Sequence, residues 1–157
     1  TNLYGPNDNF DLETSHVLPA LIRKFHDAKI NNAPAVTVWG TGSPRRELLH
    51  VDDMADACTF VMLLPDEAID NHLINYPAPC FLNVGTGNDC TIKELALLVK
   101  KITGFRGKIA FDTSKPDGTP LKLLDVTGLK NLGWESKITI EKGIKQVYDW
   151  AVNENMI

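Results

Sequence analysis

The sequence predicts an α/β fold, and three observations lead to that prediction. Segments with the spacing of one buried helical face alternate along the chain with short apolar runs typical of strands. One such run, residues 80–84, ends in Gly-Thr-Gly and has the pattern of a buried parallel strand. Thr91 and Glu94 form a capping-box pattern, which predicts a helix start because each side chain can satisfy a free amide of the first turn.

Helices and strands are expected in a defined order, separated by polar stretches rich in Asn, Asp, Gly and Pro. Side-chain caps are expected from Thr14 or Ser15 for the first helix and from Asp52 or Asp53 for the second. The expected segments are a loop over 1–13, a helix from about 15 to 30, strands over 36–39 and 47–51, a helix from about 53 to 64, a loop over 65–79, the strand over 80–84, a helix over 91–102, a strand over 109–111, a loop over 113–122, a short helix over 126–131 and a last helix over 140–153.

Composition limits the classes of function. The chain has 157 residues, 43% hydrophobic and 23% charged, which is ordinary for a soluble globular protein. A net charge of −4 argues against a general nucleic-acid surface, and no apolar run is long enough to span a membrane. The three cysteines lack metal-ligand spacing, and an odd count suits a reducing compartment. We therefore expect a cytoplasmic protein without a metal site, whose cysteines (Cys58, Cys80, Cys90) are buried as small hydrophobic residues.

The stretch from Val38 to Asp53 is the most informative part of the chain. Trp39 offers a flat face for a base or sugar, and the glycines of the Gly40–Gly42 turn allow close approach of a ligand. Arg45 and Arg46 follow the turn and could hold phosphate with their guanidinium forks. This combination suits a sugar-nucleotide site. The alternative is a hairpin with a surface arginine pair and a core tryptophan.

Four blocks of sequence resemble the C-terminal half of an extended short-chain dehydrogenase/reductase, in particular of those enzymes that epimerise and reduce a GDP-linked keto-sugar. The resemblance covers nearly the whole chain. It implies that residues 1–157 are a C-terminal substrate-binding portion, with segments around 83–85 and after Asp53 that would complete a Rossmann sheet. Since the chain begins in the middle of a strand-end motif, we expect an N-terminal NADP-binding portion to precede it. The four blocks are Thr-Asn-Leu-Tyr-Gly-Pro at 1–6, Ser-His-Val-Leu-Pro-Ala-Leu at 15–21, Glu-Leu-Leu-His-Val-Asp-Asp-Met-Ala at 47–55, and residues 111–126 with Lys-Pro-Asp-Gly-Thr-Pro.

The resemblance also implies site residues. His16 would be the acid of the epimerisation and would lie near the nicotinamide, a role that an imidazole titrating near neutrality suits. Without the resemblance, a capping or packing role is the more common one for such a histidine. The cofactor contacts would be Thr1, Asn2, Leu3 and His16, although a plain turn explains the first three equally well.

The implied GDP-sugar contacts are Lys24, Trp39, Arg46 and Asp117. Lys24 keeps a positive charge but lacks the bidentate fork of an arginine, which is often found there in the family. Asp117 could accept hydrogen bonds from guanine or ribose, or it could simply organise the Asp-Gly turn.

The redox machinery is missing from this sequence. No Gly-x-Gly-x-x-Gly stands between a strand and a helix, and no tyrosine is followed four residues later by a lysine. We therefore expect NADPH to be bound mostly by another portion and this chain alone to be inactive. The resemblance implies part of an epimerase/reductase of GDP-4-keto-6-deoxy-D-mannose that forms a homodimer. The alternatives are a reductase of a UDP- or dTDP-sugar and a non-catalytic sugar-nucleotide-binding module.

Overall fold

A computed structural model describes residues 1–77 and 80–157 and confirms the α/β class. The helices that pattern and capping predicted are present, with ends within a few residues of those expected. The elements are β1 (Asn2–Tyr4), α1 (Val17–Ile30), β2 (Ala35–Trp39), β3 (Arg45–His50), α2 (Val51–Met62), α3 (Asp66–Leu73), β4 (Asp89–Thr91), α4 (Ile92–Thr103), β5 (Lys108–Asp112), β6 (Leu121–Lys122), α5 (Thr127–Asn131) and α6 (Ile140–Asn153).

The strands of the described residues form two small sheets. In one sheet β3 pairs with β1 in parallel along its second half, while β4 (antiparallel) and β6 (parallel) pair with its first half. In the other sheet β2 and β5 pair in parallel, from Ala35 opposite Lys108 to Trp39 opposite Asp112. The Gly40–Gly42 turn therefore connects two sheets, and the hairpin alternative is wrong.

The main core lies between α1, α4, α6 and the β2–β5 sheet. Its buried side chains are mostly aliphatic and aromatic, because each of these helices carries apolar residues at helical spacing on one face. A second, smaller cluster joins α2, α5 and the end of β3, and its buried members are Leu49, Ala57, Leu129 and Trp134. None of the helices in the described part of the chain has the length and apolar character needed to cross a membrane.

Two segments differ from the expected secondary structure. The loop expected over 65–79 contains α3, and its last two residues lie outside the described part of the chain. The strand expected over 80–84 is not formed, because no strand of the described residues pairs with it. Only Leu82 and Val84 of this run pack against the second cluster, while Phe81 is 62% exposed. The expectation of a buried strand is therefore wrong, because a strand needs a partner for its backbone as well as an apolar sequence.

The short strands β1 and β6 were not expected, since both lie in stretches whose composition indicated loops. β1 owes its regular form to its pairing with β3, and β6 likewise pairs with β3. Two cysteine assignments are also wrong: Cys58 and Cys80 are exposed, whereas Cys90 is half-buried against the main core. Cys58 lies on α2, a helix that buries little of its surface.

The helix caps differ as well. His16 holds the N-cap position of α1 without a side-chain hydrogen bond, so neither Thr14 nor Ser15 caps this helix. The cap of α2 is His50, whose Nδ1 accepts a hydrogen bond from the backbone N–H of Asp52. The buried carboxylate of Asp53 accepts instead from two backbone N–H groups of the segment before α6.

Candidate functional site

The Gly40–Gly42 turn holds the carboxylate of Asp117 in place. One oxygen of Asp117 accepts the backbone N–H of Thr41 at 2.7 Å, and the other accepts the Thr41 hydroxyl at 2.7 Å. Gly40 has a φ of +80° and faces Asp117 so closely that a Cβ would collide with the carboxylate. Asp117 therefore organises the Gly40–Gly42 turn and not the Asp-Gly turn of its own segment, and lone pairs of both oxygens are left for a further donor.

Trp39 is a surface residue and does not belong to the core. It ends β2 with 59% of its surface exposed. The Nζ atoms of Lys24 and Lys115 lie 4.9 and 5.4 Å from the centroid of its ring, within the range of cation–π attraction. Partial burial lowers the pKa of Lys24, because desolvation disfavours its charged form. Two cations thus lie over the ring of an exposed tryptophan.

The two neighbouring arginines have different environments. Arg45 pairs with Asp89 through Nε and Nη2, at 3.0 and 2.8 Å, so this guanidinium fork is already engaged. Arg46 donates from Nη1 to the backbone carbonyls of Arg45 and Thr119, at 2.7 and 2.6 Å. Carbonyls fix the position of Arg46 without neutralising its charge. Of the phosphate-binding pair predicted from sequence, only Arg46 keeps an uncompensated cation.

Arg46 lines three grooves, and two of them contain most of the other predicted site residues. The first, here called the indole groove, has a volume of about 280 Å³. The second, here called the histidine groove, has a volume of about 270 Å³. Val17 and Arg46 line both, so the grooves are neighbours. The indole groove is lined in part by Ser15, Lys24, Trp39, Arg46 and Asp117, and the histidine groove in part by Asn2, Leu3, His16, Pro19 and Lys122.

The structure groups most of the predicted site residues into two neighbouring grooves. The four expected GDP-sugar contacts line one groove, and three of the four expected cofactor contacts line the next. Thr1 belongs to neither of these linings: its hydroxyl donates to the carbonyl of Glu47 at 3.3 Å, and it lies in a different depression. The two sets of predicted contacts therefore lie in neighbouring grooves, with Thr1 as the exception.

His16 is exposed at the start of α1 and makes no capping hydrogen bond. The capping and packing role that would be usual for such a histidine is therefore not what the structure shows. Its imidazole lies on a groove wall, where a ligand can reach it.

Glu47 is a structural residue that the sequence analysis missed. It is 1% exposed, and its carboxylate accepts the backbone N–H groups of Gly87 at 2.7 Å and Leu124 at 3.3 Å. Gly85 packs directly on this carboxylate, where a Cβ would collide. The Gly85–Gly87 turn therefore encloses an anion, which makes it unsuited to phosphate. A charged residue next to two leucines in a strand was the only signal in the sequence.

The indole groove offers three kinds of contact to a ligand. An aromatic face suits a base, cations suit phosphate, and a fixed carboxylate suits N–H or O–H donors. In the described part of the chain, no group of three or more His, Cys, Asp or Glu residues is placed to hold a metal ion. The groove is therefore of a kind that a nucleotide-linked ligand fits.

Comparison with known proteins agrees with this geometry. Residues 1–76 match the NAD dependent epimerase/dehydratase family. The chain is 55% identical, over 96% of its length, to GDP-L-fucose synthase 1 of Arabidopsis thaliana and to GDP-L-fucose synthase of Escherichia coli (strain K12). A solved GDP-L-fucose synthetase from Naegleria fowleri bound to NADP has a TM-score of 0.84 at 29% identity and aligns with 99% of this chain.

The chain spans about half the length of the relatives it matches. It covers 43% of the Arabidopsis protein, 46% of the Escherichia coli protein and 46% of the Naegleria chain. In class, residues 1–76 of the chain are similar to the NAD dependent epimerase/dehydratase family. More particularly, the relatives that are 55% identical to the chain over nearly its whole length are GDP-L-fucose synthases, which confirms the resemblance found in the four sequence blocks.

Proposed function

We propose that this chain is the GDP-sugar-binding portion of a GDP-L-fucose synthase. The whole enzyme would convert GDP-4-keto-6-deoxy-D-mannose to GDP-L-fucose by epimerisation at C3 and C5 and NADPH-dependent reduction at C4. The observation that carries this proposal is the indole groove, which combines an exposed indole, two cations and an oriented carboxylate next to an accessible histidine.

Each wall of the indole groove has a role in binding. The face of Trp39 stacks on the guanine or ribose, and the oriented carboxylate of Asp117 accepts from their N–H or O–H groups. Arg46, held by two carbonyls, presents its remaining N–H groups to the diphosphate. Lys24 adds positive charge without a fork, so we expect it to contribute less orientation than Arg46.

His16 is the proposed acid of the two epimerisations. Inversion beside a ketone requires removal of a proton from one face and return of a proton to the other, and an imidazole can supply the returned proton. His16 lies in the histidine groove, which shares Arg46 and Val17 with the indole groove. A hexose that extends from a diphosphate at Arg46 into the histidine groove would lie beside this imidazole. The base of this step is expected outside this chain.

The histidine groove fits one end of a nicotinamide cofactor. Its volume of about 270 Å³ is too small for a whole dinucleotide, which agrees with the absence of a Gly-x-Gly-x-x-Gly turn from the sequence. Asn2, Leu3 and His16 would contact the nicotinamide end, and NADPH when bound would supply the hydride for C4. Most of the cofactor contacts, a homodimeric assembly and a cytoplasmic location are parts of the proposal taken from the resemblance.

Titration calorimetry on the polypeptide that carries this chain tests the proposal. We expect GDP-D-mannose to bind and UDP-glucose and dTDP-glucose to bind at least tenfold more weakly. Equal binding of all three would support the alternative of a reductase of another nucleotide sugar. Since this chain alone is expected to be inactive, the discriminating assay uses the longer polypeptide: binding without turnover of GDP-4-keto-6-deoxy-D-mannose and NADPH there would support a non-catalytic binding module.

One similarity favours a second candidate function, that of a reductase without epimerase activity. A solved GDP-6-OMe-4-keto-L-xylo-heptose reductase from C. jejuni is 38% identical to this chain, with a TM-score of 0.86. A pure reductase would oxidise NADPH without exchanging protons at C3 and C5. Deuterium incorporation at both carbons in deuterated buffer, observed by NMR, is expected for a fucose synthase and would exclude the pure reductase.

A further inference from the structure

The hydroxyl of Ser15 has no hydrogen-bond partner. In the described part of the chain, two buried side-chain polar atoms are in this state, Ser15 Oγ and His50 Nε2. The His50 ring lies inside the protein, packed edge-on against Tyr4. Ser15 differs, because it lines the indole groove just before α1.

An unsatisfied buried hydroxyl destabilises a folded protein. It has left water without gaining a replacement hydrogen bond, so alanine at the same place would be neutral or stabilising. Other hydroxyls close to this groove do have partners: Thr41 Oγ1 lies 2.6 Å from Ser43 Oγ and donates to Asp117. Folding alone therefore does not explain a serine at position 15.

The surroundings of Ser15 indicate what its hydroxyl can bind. The same groove contains the cations Lys24 and Arg46. A ligand attracted by these cations carries oxygen acceptors, and a serine hydroxyl can donate to one after rotation about its single χ1 bond. Ser15 also directly precedes His16, the proposed acid, so a ligand held by Ser15 is held close to the proton donor.

We propose that Ser15 is a positioning residue whose hydroxyl hydrogen-bonds an oxygen of the nucleotide sugar in the indole groove. This inference rests on the proposed function, since it takes the groove as the GDP-sugar site. In the ligand-free structure this hydroxyl is a buried atom without a partner, and it would reach the ligand by rotation about χ1 when the groove is occupied. The unsatisfied hydroxyl lowers the stability of the ligand-free protein, and the hydrogen bond formed on binding raises the affinity and orients the ligand.

The test separates binding from stability by means of two variants. Ser15→Ala should weaken binding of GDP-D-mannose about tenfold, the effect of losing one hydrogen bond to a polar ligand. Its melting temperature should equal or exceed that of the unaltered protein. The matched control is Thr103→Val, which removes a buried hydroxyl that donates to the carbonyl of Val99 at 2.9 Å on α4. This control should bind GDP-D-mannose normally and melt at a lower temperature.

Titration calorimetry with GDP and with GDP-D-mannose identifies the oxygen. Weakened binding of both ligands places the hydroxyl on the diphosphate nucleotide, and weakened binding of GDP-D-mannose alone places it on the hexose. If Ser15→Ala folds poorly, Ser15→Cys keeps the volume with a much weaker donor and should show the same loss of affinity.

The possible failures are distinguishable. If the unaltered protein binds GDP and GDP-D-mannose and Ser15→Ala binds each of them as tightly as the unaltered protein does, this inference is overturned while the proposed function stands. If the unaltered protein binds neither ligand, the proposed function itself fails. A melting temperature of Ser15→Ala well below that of Thr103→Val would show that the serine has a structural role.

Discussion

The main core and the second cluster differ in how many of their side chains are buried. α1 buries six of its residues and α4 buries five, and Phe25, Ile22 and Val99 have no exposed surface at all. In α2 only Asp53 and Ala57 are buried. At its end Met62 and Leu63 are 82% and 78% exposed. The main core is therefore well packed, whereas the second cluster buries few side chains and leaves apolar ones exposed.

This difference in burial shows that the candidate binding groove lies on the well-packed region. The indole groove lies on α1, β2 and the start of β3, elements held by the main core, so its side chains are fixed relative to one another. The second region contains the segments that the resemblance assigns to a Rossmann sheet. Exposed apolar side chains of this kind are typical of surfaces that pack against another segment or protein.

The largest expected effect tests whether the start of α1 is catalytic. His16→Asn keeps one hydrogen-bond donor but cannot shuttle a proton. Deuterium incorporation at C3 and C5 should slow by about 10²–10⁴-fold, the usual contribution of a general acid. Because His16 is exposed at the N-cap of α1 and makes no capping hydrogen bond, whereas asparagine can make one, the melting temperature should stay the same or rise slightly. NMR of the sugar protons measures the exchange, and a normal rate in a folded variant would rule out the catalytic role.

The second prediction concerns the two regions directly. Phe25→Ala, at a fully buried position of α1, should lower the free energy of unfolding by about 3–5 kcal/mol. Met62→Ala, at an 82% exposed position of α2, should change it by less than about 0.5 kcal/mol in this chain. Urea unfolding measures both. A comparable loss for Met62→Ala in the longer polypeptide would show that another portion covers α2, whereas a comparable loss in this chain would contradict the comparison.

The third prediction uses the neighbouring arginines as a matched pair. Arg46→Ala should weaken GDP-D-mannose binding by about 2–3 kcal/mol, because a charged hydrogen-bond donor to phosphate is lost. Arg45→Ala should leave affinity nearly unchanged, since its guanidinium is engaged by Asp89. Calorimetry with both variants decides. Equal affinity losses would mean that the groove responds to general charge and has no specific phosphate contact.

The smallest expected effect lies at β3 and β4, where Arg45 meets Asp89. The hydrogen bond from Arg45 holds the pKa of Asp89 below its usual value. A carboxyl with a lowered folded pKa stabilises the fold above its unfolded pKa of about 3.9, and this contribution is lost as pH falls through the folded pKa. Asp89→Asn should therefore be less stable than the unaltered protein at pH 7, with the difference shrinking below about pH 4.

Urea unfolding at pH 7 and pH 3 measures this change. Arg45→Ala serves as the control, because it removes the same interaction and should show the same dependence on pH. If the difference in stability is the same at both pH values, the contribution of Asp89 does not depend on its charge interaction with Arg45.

The sequence predicted well what is encoded locally. The capping box of Thr91 and Glu94 starts α4 as expected, and Gly104 ends it in the left-handed conformation. The spacing of Ile144, Val147 and Ala151 placed one face of α6 in the core. These signals depend on residues within one or two turns of each other, so no knowledge of tertiary contacts was needed.

What the sequence did not predict depends on distant partners. The run 80–84 has a strand pattern but lacks a strand to pair with, and β1 is a strand because β3 lies beside it. His50 caps α2 in place of the expected aspartates, because Asp53 is engaged by the segment before α6. Pairing and capping of this kind are decided only when the chain has folded.

The candidate site shows the same division. The grouping of Lys24, Trp39, Arg46 and Asp117 was expected from the resemblance, and the structure brings them to one groove. The engagement of Arg45 by Asp89 and the unsatisfied hydroxyl of Ser15 were not expected. Both are properties of what surrounds a side chain, which motif and spacing do not record.

The central claim is that the indole groove binds the GDP-sugar, and the three tryptophans of the chain allow a direct test. Trp39 lies in the groove, whereas the Trp134 indole donates to Asp56 and Trp150 packs against Phe10. Heteronuclear NMR of the indole N–H groups, assigned by single Trp→Phe variants, follows a titration with GDP-D-mannose. We expect the Trp39 signal to shift while those of Trp134 and Trp150 stay in place. Saturating binding that leaves the Trp39 signal unmoved would contradict the account.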